Sequence, residues 1–257
     1  MATSPARGRG DRTEGESRPG CLVGLLSANL YRATVKVLQL MDFYVARNET
    51  YASIVEPLLA PTNGRQIIID LGCGRGGAIP EEAAPRIVLG VDKNRRALVE
   101  FLFHGVRRVQ ALADRLPVKA GVADVVVAIS LVEHLPDQGA FFREVERILK
   151  PEGRVLLQIP ELDFPIEPHT KWPFLRLLNR SFQSAVLAAT GYEDLDLDTS
   201  VAGLRRMAAE AHLEIEREAP VWHFAVARLF RTPMGHVLIF RKASRERSAE
   251  PPIQTRS

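Results

Sequence analysis

The segment Ile67-Ile68-Ile69-Asp70-Leu71 runs directly into Gly72-Cys73-Gly74-Arg75-Gly76-Gly77, and the next apolar run closes on Gly90-Val91-Asp92. This order reads as a strand, a glycine turn and a second strand with an acidic end. Glycine lacks the Cβ that would hold a ligand off the backbone, and it enters turn conformations closed to other residues. A nucleotide-like molecule can therefore lie on the main chain at Gly72, Gly74 and Gly76. Asp92, about 20 residues beyond the first glycine, stands where an acidic side chain accepts the hydroxyls of a ribose. The pattern predicts an adenosine-containing ligand at the edge of a parallel sheet.

Gly72-x-Gly74-x-x-Gly77 also satisfies the dinucleotide fingerprint of NAD-type oxidoreductases, so the glycines alone leave two readings. Asp70 separates them. A carboxylate two residues before the turn repels a pyrophosphate but attracts an ammonium or sulfonium at close range, and S-adenosylmethionine carries both. Position also matters: roughly 40 residues of helical character precede the turn, whereas a dinucleotide fold usually begins with it.

The motif train continues through Leu116-Pro117, Ala123-Asp124-Val125-Val126-Val127-Ala128-Ile129-Ser130, Glu133-His134-Leu135 and Leu149-Lys150-Pro151-Glu152-Gly153-Arg154. Over about residues 65 to 160 the chain resembles the class I S-adenosylmethionine-dependent methyltransferases, within the large type 11-like group that includes quinone, sterol, sugar and natural-product methyltransferases. The resemblance implies a Rossmann-like α/β fold: a mostly parallel seven-stranded sheet with an antiparallel last strand and helices on both faces. It implies S-adenosylmethionine as cofactor, with Gly72, Gly74 and Gly76 lining the methionine and ribose, Asp70 orienting the amino end and Asp92 binding the ribose. Lys93 either flanks adenine with its stem or faces solvent. Family members commonly place an acid four residues before the Leu-Pro, where this chain has Leu112, so either Asp114 or the backbone of Ala113 meets adenine. Ser130 is expected to face the methionine part.

No metal is expected, because a sulfonium is already an activated methyl donor and alignment supplies most of the catalysis. Two histidines compete as general base, a role imidazole fills near neutral pH. His134 follows the fourth strand, and the Glu-His-Leu turn around it recurs across family members with unlike substrates, which favours a structural or cofactor-pocket role. His169 lies in Phe164-Pro165-Ile166-Glu167-Pro168-His169-Thr170-Lys171-Trp172-Pro173-Phe174, after the fifth strand. Prolines stiffen this segment. Phe164, Glu167, Trp172 and Phe174 provide the mixture of apolar walls and polar contacts expected of a small-molecule pocket, the alternative being a rigid loop that packs the following insertion. Phe174, Leu175, Leu177, Leu178 and Phe182 fall at helical spacing and suggest a lid or ordinary core.

Composition limits the remainder. With 257 residues, 46% hydrophobic and 25% charged, the chain suits one α/β domain. Residues 241 to 257 hold five Lys or Arg against two Glu, which equals the whole net charge of +3. The body is near neutral, which argues against a nucleic-acid partner. The division expected is a disordered tail over 1–20, one domain over 21–242 with a helical cap at 21–62 and a substrate-side insertion at 160–195, and a second disordered tail over 243–257. Pro80 and Pro85 predict a short helix after the glycine turn. Thr199 or Ser200 should cap a later helix. Cys21 and Cys73 are the two cysteines, and a disulfide would obstruct the turn; a reducing cytoplasm follows. No apolar run reaches 18 residues, so no transmembrane segment is expected, while peripheral membrane contact stays open. The function expected is methyl transfer to a small-molecule acceptor, with O-methylation of a sugar, lipid or natural product first. The alternatives are an NAD-type oxidoreductase and a non-catalytic S-adenosylmethionine-binding protein. Acceptor identity and oligomeric state have no signature in the sequence.

Overall fold

A computed structural model describes residues 66–76, 79, 86–101, 106–222 and 231–243. The expected tails, the helical cap and the Pro80–Pro85 helix lie outside the described residues, apart from the first residue of the C-terminal tail.

Seven strands form one sheet: β1 (Gln66–Leu71), β2 (Arg86–Asp92), β3 (Arg107–Gln110), β4 (Ala123–Ile129), β5 (Leu149–Pro160), β6 (Leu213–Val221) and β7 (Gly235–Lys242). Their spatial order is β3-β2-β1-β4-β5-β7-β6. Strands β1 to β5 pair in parallel, and β7 runs antiparallel to both β5 and β6. The antiparallel last strand expected from the resemblance is present. The order reverses between β1 and β4, which opens a crevice at their carboxyl ends.

The helices are α1 (Arg95–Val99), α2 (Gln138–Ile148), α3 (Arg180–Thr190) and α4 (Val201–Glu210), with 3-10 turns at Val132–His134 and Leu175–Leu177. Helix α2 starts where Asp137 Oδ1 accepts the Ala140 N–H at 2.7 Å, satisfying one of the orphan donors of a first turn. Its buried residues Phe141, Phe142, Val145 and Ile148 recur on one helical face. They meet Val126, Ala128, Val155 and Leu157 of the sheet and Leu204 and Ala208 of α4. The alternate residues of the same strands, Val125, Val127 and Leu156, turn to the other face with Ile68, Val237 and Ile239. Burying one side chain of this size stabilises by about 1.5–3 kcal/mol, so the two-sided sheet is the main source of rigidity beneath the crevice.

Sequence periodicity places the fifth strand at 153–159, but β5 begins at Leu149. Leu149 pairs with Ala123, the register then shifts, and Arg154 pairs with Val125. Gly153 sits in the irregularity, where a Cβ would stand 2.9 Å from the Lys150 carbonyl oxygen. The caps also resolve: Ser200 Oγ accepts the Gly203 N–H at 3.1 Å and starts α4, whereas Thr199 bonds to Gln138 and Asp196 instead.

Candidate active site

The glycine turn is built by backbone bonds. The N–H groups of Gly72 and Cys73 both donate to the Val91 carbonyl, at 2.8 and 3.1 Å, tying the end of β1 to β2. Gly72 and Gly74 have φ of +69° and +54°, conformations in which an L side chain is strained. The two differ in their surroundings: a Cβ on Gly72 would stand 2.9 Å from Leu131, while one on Gly74 would meet nothing within 4 Å. Close packing therefore explains the first glycine, and open space beside bare main chain marks the second. Asp92 is anchored here, its Oδ2 accepting from Gly74 N at 2.8 Å and its Oδ1 from Asn94 N at 2.7 Å. Each oxygen keeps further acceptor capacity. Asn94, not Asp92, caps α1.

Asp70 is buried at the β1 end, and burial first, then the negative Asp92, pushes its carboxyl from 3.8 up to about 7. A cation placed beside both acids would reverse that shift. Burial likewise raises the Cys73 thiol to about 12, assisted by Asp70 and Asp92, so this free cysteine is a packing residue rather than a nucleophile. Ser130 closes β4 with φ +49° and donates its hydroxyl to Gln158 Oε1 at 2.8 Å. After β3, Ala113 is buried and Asp114 half-buried in a tight Leu112–Arg115 turn, so the two candidates for the adenine contact sit in one turn. Lys93 pairs with Asp194 at 2.9 Å.

His134 and His169, 35 residues apart, come together with Nε2 atoms 3.3 Å from each other. Their rings are nearly perpendicular, with centroids 4.9 Å apart. Each turns its other nitrogen to a carboxylate: His134 Nδ1 lies 3.2 Å from Asp194 Oδ1 and His169 Nδ1 lies 2.9 Å from Glu167 Oε1. Ionised carboxylates only accept, so both Nδ1 atoms donate and both Nε2 atoms are left as acceptors. Burial and then the neighbouring His169 hold the His134 imidazole below its usual range. Burial pushes the Glu167 and Asp194 acids up, yet their bonds, chiefly to His169 for the first and to Lys93 and His134 for the second, leave both below the ordinary range. The fully buried Glu133 stands beside the pair, with Oε1 3.7 Å from His169 Nε2, and the Tyr192 ring packs on both imidazoles.

The expected acceptor loop divides. Phe164 and Phe174 line a cavity of about 330 Å³ beyond the end of β5, together with Glu133, Leu175, Leu177 and Leu195. Glu167 touches that cavity, but its carboxylate is used within its own turn, accepting the N–H of His169 at 3.0 Å and of Thr170 at 2.5 Å. Trp172 is not among the lining residues. It meets Phe182 edge to face at 5.5 Å and packs with Leu175, Val186 and Leu187. The helical spacing from Phe174 to Phe182 is realised as a 3-10 turn and the start of α3, with Leu175 buried and Leu177 exposed. Glu133, Tyr192 and Asp194 escape sequence reasoning. Glu133 was visible inside the Glu-His-Leu turn, whereas Asp194 and Tyr192 carry no local signal.

Residues 69–157 match the family described as a methyltransferase domain. A Mycobacterium tuberculosis protein named as a probable S-adenosylmethionine-dependent methyltransferase is 29% identical over 202 residues, covering 74% of this chain and 69% of that protein. The ubiquinone biosynthesis O-methyltransferase of Thiobacillus denitrificans is 27% identical, covering 67% of this chain and 74% of its own length. In fold, the chain is similar to an S-adenosylmethionine-dependent methyltransferase from Mesorhizobium loti (TM-score 0.56, 17% identity, 74% of this chain and 97% of that one). It is also similar to geranyl diphosphate C-methyltransferase from Streptomyces coelicolor, solved with S-adenosyl-L-homocysteine (TM-score 0.57, 15% identity, 76% of this chain and 77% of that one).

Proposed function

Because the chain is a class I S-adenosylmethionine-dependent methyltransferase, we propose that it methylates an oxygen of a small-molecule acceptor held beyond the carboxyl end of β5. The observation that carries this reading is the convergence of His134 and His169 beside the cavity lined by Phe164 and Phe174. S-adenosylmethionine is the cofactor, and the site fits it: Gly74 leaves main chain open, Asp92 is anchored at the turn, and the Asp70–Asp92 pair favours a cation. When bound, it supplies a methyl group already activated on a positively charged sulfur.

The chain's own residues then have three tasks. Gly72, Gly74, Gly76, Asp70, Asp92 and Ser130 hold and orient the cofactor, with Ala113 or Asp114 at adenine. Lys93 braces the acid that orients His134 through its ammonium, which leaves its stem free to flank adenine. Phe164 and Phe174 exclude water around the acceptor. His134 or His169 receives the acceptor hydroxyl's proton at Nε2, a contribution of typically about 10² to 10⁴ in rate. The name of the Thiobacillus relative supports O-methylation first, ahead of C- or N-methylation.

Among the described residues no helix is long and apolar enough to cross a membrane. Calorimetry with S-adenosylmethionine and NAD side by side, followed by labelled methyl transfer to fractionated metabolites, tests the reading. Binding of S-adenosylmethionine alone with label in a small molecule is expected. Binding of NAD sinks the methyltransferase reading, and S-adenosylmethionine binding without transfer to any acceptor leaves a non-catalytic binder.

A further inference from the structure

Glu133, His134 and His169 bring one carboxylate oxygen and two imidazole nitrogens within 4.8 Å of one another. From this geometry we propose that the three residues form a site for one divalent transition-metal ion of the zinc type, with an open position for an acceptor oxygen.

Four observations converge. At a metal–nitrogen length of about 2.05 Å, two nitrogens 3.3 Å apart subtend about 107° at the ion, close to the tetrahedral angle. Both Nδ1–H groups are held by carboxylates, Asp194 for His134 and Glu167 for His169. That arrangement fixes the tautomer and raises ligand basicity in carboxylate–histidine–metal sites. Two acceptor nitrogens and a buried carboxylate facing one point repel each other, and a cation at that point removes the repulsion. Two imidazoles and one carboxylate also match the ligand softness of zinc and its neighbours rather than of magnesium or calcium, and they are the protein ligands of a known catalytic zinc arrangement that keeps its fourth position for water or substrate.

The site is reachable. The His134 and His169 side chains keep 17% and 14% exposure, and Glu133 lines the cavity. The ion's use in methyl transfer rests on the proposed function; its binding does not. In the metal-bound chain the two Nε2 atoms hold the ion rather than a proton; the ion would bind the acceptor hydroxyl oxygen and lower its pKa, so that the hydroxyl proton leaves to solvent water before the oxygen takes the methyl group. No metal is expected from sequence because a sulfonium needs none for activation, and Glu133 and His134 lie a whole helix and strand away from His169 in the chain.

The test uses the full chain, stripped with chelator and titrated with Co²⁺, whose visible spectrum reports coordination. One equivalent is expected to bind with the intense bands of a four-coordinate site and to be displaced by Zn²⁺. Two exchangeable, paramagnetically shifted imidazole N–H resonances should appear in the wild-type protein, one from each Nδ1–H. His134→Ala and His169→Ala should each weaken binding at least 100-fold, and Glu167→Gln about 10- to 100-fold. Absence of stoichiometric binding overturns the proposal, as does a wild-type complex lacking those two resonances or a His134→Ala/His169→Ala double variant that binds Co²⁺ normally. S-adenosylmethionine calorimetry runs in parallel. Its failure beside normal Co²⁺ binding removes the methyltransferase reading and leaves the metal site, and the reverse result removes the metal site alone.

Discussion

Asp70 carries the sharpest consequence at the scale of one side chain. Its folded value of about 7 lies above the unfolded 3.8. A carboxyl shifted upward contributes stability that is complete below the unfolded value and is lost as pH climbs through the folded one. Asp70→Asn removes this dependence, so its stability advantage over the wild type should widen from about pH 4 to about pH 7 and stay flat above, reaching about 4 kcal/mol in denaturant titrations. On the proposed function, in which Asp70 meets the ligand's cation, the same variant should bind S-adenosylmethionine at least tenfold more weakly. Gly74 makes the complementary case. An alanine there meets open space but must hold φ +54°, so Gly74→Ala should cost about 1–2 kcal/mol while lowering cofactor affinity more than tenfold by calorimetry. The glycines and both acids were legible in sequence because they lie in one local run. Asp194 was not: it reaches Lys93 and His134 across 101 and 60 residues, and nothing in Tyr192-Glu193-Asp194 signals that closure.

The loop after β5 shows what element-level reasoning can reach and where it stops. Composition marked residues 164 to 174 as pocket material, and Phe164 and Phe174 do line the cavity. Periodicity has no means of assigning an aromatic to one side of a proline-stiffened turn. Here the Ile166–Pro173 bridge and the Lys171 N–H bond to the Glu167 carbonyl at 2.8 Å send Trp172 toward α3 and Phe174 toward the cavity. The two residues should therefore part company on substitution. Phe174, 54% exposed, has little packing to lose, so Phe174→Ala should raise acceptor KM severalfold with a change in stability below about 0.5 kcal/mol. Trp172→Ala breaks the contact with Phe182 and loosens α3, so a loss of about 1–3 kcal/mol is expected first. Equal KM effects with unchanged melting for both variants would place Trp172 back in the pocket.

Across the whole molecule, the strand order decides what the site can be. The strand, glycine turn and second acidic strand end were enough to predict the edge of a parallel sheet, and the antiparallel β7 followed from family resemblance rather than from any property of Gly235–Lys242 itself. With β1 and β4 adjacent and their crossovers leaving toward opposite sides, the glycine turn, Ser130 and the His134 turn gather at one edge, and β5 adds the His169 loop beside them. A ligand bridging the β1 and β2 ends should then stabilise the sheet as a unit. At about 100 times its Kd, S-adenosylmethionine should add about 2.7 kcal/mol to unfolding. Asp92 is the joint, since its carboxylate ties Gly74 to the start of α1 and, on the proposed function, also binds the ligand's ribose. Asp92→Ala should consequently lower the ligand-free stability by about 1–2 kcal/mol through the two lost backbone bonds and abolish the ligand-induced rise in melting temperature. A variant that melts lower yet still gains the full increment from S-adenosylmethionine would show that Asp92 supports the turn without touching the cofactor.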